Sequence, residues 1–388
     1  MHGLRRVAVL AAVLLLAGCS LFKGDKKAED PPARLADIEP TLKIDVAWSA
    51  SIGDGTEFLR LGLSPESDGS RIFAASHDGV IAAFEATKGR RAWRRKTKLP
   101  LSAGPGTDGE LVVAGSANGD VVAVRAGDGQ EAWRVPVASE VLAAPALARG
   151  LVLVRTVDGK LTAFRASDGS QAWFVQEAVP RLSVRGTAAP VVVGNVVVVG
   201  FDSGRVVAYD ITDGSELWQA TVDPPAGRNE VERLKDVNAS VRAIGEDLYA
   251  VGYQGRLAAI ALESGQILWS QEMSSHSGLA VDVNGVYVAG ADGTLSAFRR
   301  SDATELWKDA SLRNRDLATP AAFQSSVVVG DFEGYVHWFD ATTGVPQARA
   351  RARGGRVVGA PLVVNDLIYV QTEGGKLTAF RAQPRARR

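Results

Sequence analysis

The side chains able to do chemistry are few, and their spacing argues against a catalytic or metal centre. There are four histidines. His2 lies at the extreme N-terminus, and His77, His276 and His337 lack the paired spacing that lets two imidazoles close on zinc. Carboxylates recur beside glycines at Asp78, Asp158, Asp202 and Asp292. A Ca²⁺ site needs about six to eight oxygens converging on one place. These four are spread evenly along the chain, where an Asp is expected to bond the backbone of a tight turn. No Gly-x-Ser-x-Gly elbow and no Gly-x-x-x-x-Gly-Lys loop occurs. The single cysteine, Cys19, has no internal disulfide partner.

The setting of Cys19 suggests a different chemistry. Arg5 and Arg6 precede the apolar run Val7–Leu16, and Leu16-Ala17-Gly18-Cys19 follows. As a helix the run spans only about half of a bilayer, so residues 1–18 are expected to be a secretory leader rather than a transmembrane segment. The last four residues resemble a bacterial lipobox, which implies cleavage before Cys19 and acylation of that residue. Ser20 in the next position, where Asp resembles an inner-membrane retention signal, favours the outer membrane on its periplasmic side. Residues 19–42 are rich in Lys, Asp, Glu, Pro and Ala and read as a lipidated, flexible tether. Lys plus Arg equals Asp plus Glu at 44 each, and the basic residues are read as forming no long block, so nothing here favours nucleic acid.

The elements that position these residues repeat. A glycine between two short apolar runs occurs at Gly79, Gly119, Gly159, Gly204, Gly255, Gly293, Gly334 and Gly375, at intervals of 38 to 51 residues. That period predicts propeller blades of four strands. Five residues on comes Phe84, Val124, Phe164, Tyr209, Ile260, Phe298, Phe339 or Phe380, preceded by Ala in seven repeats and by Trp338 in the other. Gly89, Gly129, Gly169, Gly214, Gly265 and Gly344 mark a second turn. Trp93, Trp133, Trp173, Trp218, Trp269 and Trp307 follow in register. Pro65, Pro105, Pro145, Pro190, Pro320 and Pro361 stand at the start of the innermost strand, where no ladder donor is needed. The first glycine is expected in the hairpin between the second and third strands, where φ is positive. The apolar residue is expected to pack against the next blade, and the tryptophan to be buried between blades.

The last repeat ends before its tryptophan, whereas residues 43–48 carry an unused one, Trp48. The N-terminal strand therefore completes the last blade, giving an all-β, eight-bladed propeller over residues 43–388 with no open sheet edge. The seventh repeat has Ala348 in the tryptophan position, and Trp338 is a candidate to fill that volume. From proline to tryptophan every complete repeat has one length, and all variation lies in the connections between blades. Those connections share one face. Two long ones, 174–189 and 219–240, are neighbours and are expected to form a raised patch that binds protein, mixing apolar anchors with charge.

Together the lipobox, the tether and eight repeats of the form Gly-x-x-x-Ala-Phe-x-x-x-x-Gly-x-x-x-Trp resemble the BamB family, and the blades are similar to PQQ-type propeller blades generally. More specific to the family are Leu182-Ser183-Val184-Arg185-Gly186, the run Glu232–Val237, and Gly330–Trp338. The resemblance implies a scaffold without enzyme activity or cofactor. It implies docking on the periplasmic POTRA domains of BamA, within the outer-membrane β-barrel assembly (BAM) complex, and contact with its other subunits. Leu182, Val184, Arg185, Arg233, Asp236 and Asn238 are the implied contact residues, Asn238 standing where the family tends to have an acid. A second role, presentation of unfolded barrel proteins by pairing a strand to a blade edge, is compatible with the resemblance and has no motif of its own in the sequence.

Two other functions compete with this one. A quinoprotein dehydrogenase uses similar blades, but needs an axial cofactor pocket, Ca²⁺ and often a disulfide of adjacent cysteines. A ligand-binding periplasmic propeller needs aromatic side chains at the central mouth, and the aromatics here are used between blades.

Overall fold

Each repeat folds as one sheet because its glycines permit tight hairpins and its apolar runs are covered on both sides by neighbouring blades. The computed structural model describes residues 30–56, 59, 61–180, 188–223, 241–357 and 359–385. Among them there is no helix, and the strands form eight four-stranded sheets. In blade 1 the order from the axis outward is Glu66–Ser67, Arg71–Ser76, Val80–Glu85 and Arg91–Lys96. Blade 8 is built from Leu362–Val364, Leu367–Thr372, Lys376–Pro384 and, outermost, Leu42–Ser51 from the other end of the chain. Trp48 stands opposite Ala379 there, so the ring closes as the spare tryptophan requires.

The second and third strands of each blade are almost wholly buried and supply both inter-blade surfaces. One expectation is reversed. Phe84 packs with Trp48, Leu367 and Tyr369 of blade 8, and Val124 packs with Phe73 and Ile81 of blade 1, so this residue faces the preceding blade, not the next. The alternation of strand side chains explains it: Ala83, one residue earlier, takes the following side.

The tryptophan reaches forward. Its ring lies on the second-turn glycine of the next blade, where a Cβ on Gly89 would stand 2.3 Å from Trp48 and one on Gly169 2.8 Å from Trp133. Its indole N–H donates to a backbone carbonyl of that blade: Trp48 to Ala86 at 2.7 Å, Trp133 to Ala166 at 2.8 Å, Trp307 to Ala341 at 2.9 Å. Between blades 7 and 8, Trp338 fills the gap from the third strand, opposite Ala348.

The first-turn glycine has positive φ in seven blades. In blade 5, Gln254 takes that conformation instead, at φ 51°, and Gly255 begins the strand. A Cβ at 255 would lie 2.0 Å from Asp223 Oδ2, so a larger residue there must displace that carboxylate.

Every third–fourth strand pair shifts register at one place, immediately after the residue opposite the tryptophan. The extra residue on the outer strand is the one before the tryptophan position: Ala47, Ala92, Ala132, Ala172, Leu217, Leu268, Leu306 or Gln347. Such a bulge twists the strand and interrupts the free edge.

Residues 30–41, within the stretch expected to be a tether, lie against the propeller. Asn314 Nδ2 donates to the Asp30 carbonyl at 3.0 Å, and Ala33 N to the Arg313 carbonyl at 2.9 Å. Arg315 donates to the Ala33 carbonyl at 2.9 Å, Arg349 to the Ala36 carbonyl at 3.1 Å, and Thr41 N to the Gln347 carbonyl at 2.9 Å. Leu35 packs on the apolar cluster between blades 6 and 7. The segment thus follows the outer side of blade 7 before entering the closing strand.

Candidate functional site

The connections between blades start beside the first turn of their own blade. Glu177 N donates to the Gly159 carbonyl at 3.0 Å and Val222 N to the Gly204 carbonyl at 3.0 Å. Thr97 to Gly79 and Ile52 to Gly375 repeat the bond. The described connections therefore leave from one face, and the stems of the two long ones stand on adjacent blades. Leu182, Val184, Arg185, Arg233, Asp236 and Asn238, like Cys19, lie outside the described residues.

The stems themselves are held by charge and hydrogen bonds. Glu177 accepts from Arg205 Nη2 and from the Tyr209 hydroxyl, the latter at 3.1 Å. Burial and the Glu177 charge hold the Tyr209 phenol far above its ordinary pKa, so it stays a donor. Beneath them Arg155 and Asp202 form a buried ion pair at 2.7 Å, with the guanidinium over the Phe201 ring at 5.3 Å. Asp202 is therefore a charge partner and not a turn former. Asp158 and Asp292 do bond the backbone two residues on, Asp292 accepting from Thr294 N at 3.0 Å. Asp78 makes no such bond. Two apolar side chains flank the first stem in the open, Phe174 and Val179.

The histidines fall in three unrelated settings. His77 Nδ1 meets the Leu101 carbonyl at 2.9 Å, and His276 lies 3.5 Å from Asp316. His337 is buried, with Nε2 3.0 Å from Asp331 Oδ2 and Nδ1 3.3 Å from Arg349 Nε. Arg349 must donate there, so His337 is neutral with its proton on Nε2. Burial lowers the pKa of His337, and the Asp331 carboxylate offsets this only in part. Arg315 Nε completes the cluster at 2.8 Å from the same oxygen. Among the described residues no three His, Cys, Asp or Glu side chains gather as metal ligands.

A cavity of about 720 Å³ lies on the axis. Glu66 of blade 1 and Arg242 of blade 5 face it from opposite walls. Burial raises the Glu66 carboxyl and lowers the Arg242 guanidinium, and their mutual attraction opposes both shifts.

The rim carries a further feature, contrary to the expectation of no basic block. Basic residues do form a block: Lys88, Arg90, Arg91, Arg94, Arg95, Lys96 and Lys98, on and beside the outer strand of blade 1. Arg91, Arg94, Lys96 and Lys98 are exposed and make no ion pair among the described residues. The equality of total charges concealed it, since equal sums say nothing of where the charges lie.

Comparison with known proteins decides the family. A family model described as "Outer membrane protein assembly factor BamB" matches residues 77–309 and 291–387. The chain belongs to the BamB family. Proteins named outer membrane protein assembly factor BamB share 49% identity with it in Marinobacter adhaerens, over 97% of this chain and 95% of that one. In Pseudomonas aeruginosa the figure is 43%, over 97% and 98%. The crystal structure of BamB from Moraxella catarrhalis superposes with a TM-score of 0.80 at 27% identity, covering 87% of this chain and all of that one. A quinohemoprotein alcohol dehydrogenase from Comamonas testosteroni has the same fold, with a TM-score of 0.70 at 14% identity. That likeness concerns the fold alone. In this BamB-family chain the described site is thus a rigid pair of stems on blades 3 and 4 from which the two long connections spring.

Proposed function

We propose that this protein is a non-catalytic scaffold lipoprotein of the BAM complex. It docks on the POTRA domains of BamA through connections 174–189 and 219–240, and a lipid on Cys19 holds it at the periplasmic face of the outer membrane. The observation that supports the reading is that the stems of the two long connections leave adjacent blades on one face, in a chain related to BamB proteins over nearly its whole length. A rigid ring beneath variable loops is the usual way to present a recognition surface. Leu182 and Val184 supply apolar anchors, and Arg185, Arg233, Asp236 and Asn238 fix register by charge and hydrogen bonds. A substrate strand pairing along a blade edge is disfavoured in its extended form, because the bulge interrupts each outer strand.

Capture of BamA from detergent-solubilised envelopes tests the interface. Arg185→Glu and Asp236→Lys are expected to lose BamA while retaining the circular dichroism of the parent. Normal capture by both variants rejects the assigned loops. Turnover of an alcohol or sugar with added PQQ and Ca²⁺ rejects the non-catalytic reading.

A further inference from the structure

The axial cavity holds two charges that the fold leaves unmatched. Glu66, on the innermost strand of blade 1, and Arg242, on that of blade 5, line it from opposite walls. Among the described residues Arg242 donates one hydrogen bond, from Nε to the Leu279 carbonyl at 3.4 Å, and Glu66 accepts one, from the Ser67 amide at 2.9 Å. Both guanidinium Nη groups and one carboxylate oxygen are left to whatever fills the cavity. The other charges along it are matched locally: Arg356 donates to Asp316, and His276 lies 3.5 Å from the same carboxylate. Those three residues belong to the connections that follow blades 5, 6 and 7, so they mark the end of the cavity on the face from which the connections leave, and His276 is exposed there. Between the charged walls the lining is largely apolar, with Leu142, Val281, Leu317 and Leu362. A charge taken out of water without a partner weakens a fold, so two of them facing one cavity point to a ligand rather than to stability.

We propose that the axial cavity is a binding site for a short zwitterionic peptide with apolar side chains, its terminal ammonium on Glu66 and its terminal carboxylate on Arg242. The volume, about 720 Å³, lies within the roughly 300–1,000 Å³ of small-molecule sites, which combine apolar walls with a few polar groups that fix orientation. The guanidinium offers a planar fork of donors that matches a carboxylate. Charge selects the ligand class. A dianion gains at Arg242 and is repelled by Glu66, a dication does the reverse, and a molecule carrying both signs satisfies both walls. The lining between the charges adds burial of apolar side chains, which a phosphoethanolamine headgroup lacks. The site needs neither a lipid on Cys19 nor the two long connections.

Isothermal titration of the full chain in detergent with leucyl-leucine is expected to give saturable one-to-one binding. N-acetylation or C-amidation of the peptide is expected to weaken it roughly thirtyfold each, the effect of leaving one enclosed charge unpaired. Glu66→Gln and Arg242→Gln assign the two ends. In Glu66→Gln the free and N-acetylated peptides are expected to bind alike, while amidation still weakens binding. In Arg242→Gln the free and amidated peptides are expected to bind alike, while acetylation still weakens binding. Absence of saturable heat at millimolar peptide, equal binding of the blocked peptides, or losses from blocking and substitution that multiply overturns the proposal. So does tighter binding of succinate, putrescine or phosphoethanolamine, which assigns the cavity to an anion, a cation or a lipid headgroup. If circular dichroism shows that a variant does not fold, the free and blocked peptides on the parent chain still decide. BamA capture by both variants is expected to be unchanged, so failure of the peptide site and failure of the docking reading are told apart.

Discussion

Trp338 and Ala348 face each other across the last two strands of blade 7 with their residue types exchanged relative to the other seven blades. Elsewhere alanine lies on the third strand and tryptophan on the fourth, as in Ala163 opposite Trp173. Because the two positions are opposite one another, the exchange keeps the volume between blades 7 and 8 nearly constant. It does not keep the hydrogen bond: among the described residues Trp338 Nε1 is buried without a partner, while the outer-strand tryptophans donate to the next blade. Trp338→Ala is expected to cost about 3–5 kcal/mol in urea denaturation. The exchange W338A/A348W is expected to recover much of this loss, and no recovery refutes the equivalence of the two positions.

Gly169 combines a positive φ of 74° with a Trp133 ring 2.8 Å from where a Cβ would stand. Gly169→Ala therefore meets both backbone strain and overpacking, and a loss of about 2–4 kcal/mol is expected in the same measurement. Gly194 also has positive φ, 63°, but nothing lies within 4 Å of its Cβ position. Gly194→Ala is expected to cost only about 1 kcal/mol, and equal losses at the two sites remove the packing explanation.

The Asp331–His337 cluster makes stability depend on pH. The folded pKa of His337 is lowered, so its neutral form contributes stability that is complete above the unfolded value of about 6.5 and is lost progressively below it, until pH has fallen through the lower folded value. Burial pushes the Asp331 carboxyl up, but His337 and Arg315 outweigh it and hold the group below its ordinary range. Its contribution is therefore lost only at lower pH than that of His337. Melting temperature is expected to fall between pH 7 and pH 5. The slope, at most about 1.4 kcal/mol per pH unit from one proton, should flatten in His337→Gln.

The buried Arg155–Asp202 pair sits under the stems of the long connections. Asp202→Asn leaves Arg155 charged and uncompensated, at an expected cost of about 3–5 kcal/mol. Arg155→Met in the same chain removes the stranded charge and is expected to restore most of the stability. If urea midpoints show no such rescue, the pair is not the source of the loss.

The ring and its closure were legible in the sequence because both follow from positions that repeat. Gly79 and its equivalents, the tryptophan register and the spare Trp48 admit one assembly. The direction in which Phe84 packs was not legible, since periodicity shows that alternate residues share a face but not which blade covers it. Asp202 looked like Asp158 because both precede a turn glycine; only the position of Arg155, 47 residues earlier, separates their roles. The Gln254 turn was missed because Gly255 keeps the register while its neighbour bears the positive φ. The docked N-terminal segment has a polar composition typical of a tether. It is held mainly through its backbone carbonyls and amides, which carry no side-chain signature, with Leu35 as its one apolar side chain on the blade 6–7 cluster.

The strand Leu42–Ser51 lies near the start of the chain, and its partner Lys376–Pro384 near the end. Until synthesis is almost finished, the seam between them stays unzipped, with an unpaired edge on each side. Deleting Leu42–Ser51 or Lys376–Pro384 removes one half of the same zipper. Damage at opposite ends of the gene product should therefore produce a single phenotype, an opened ring prone to self-association.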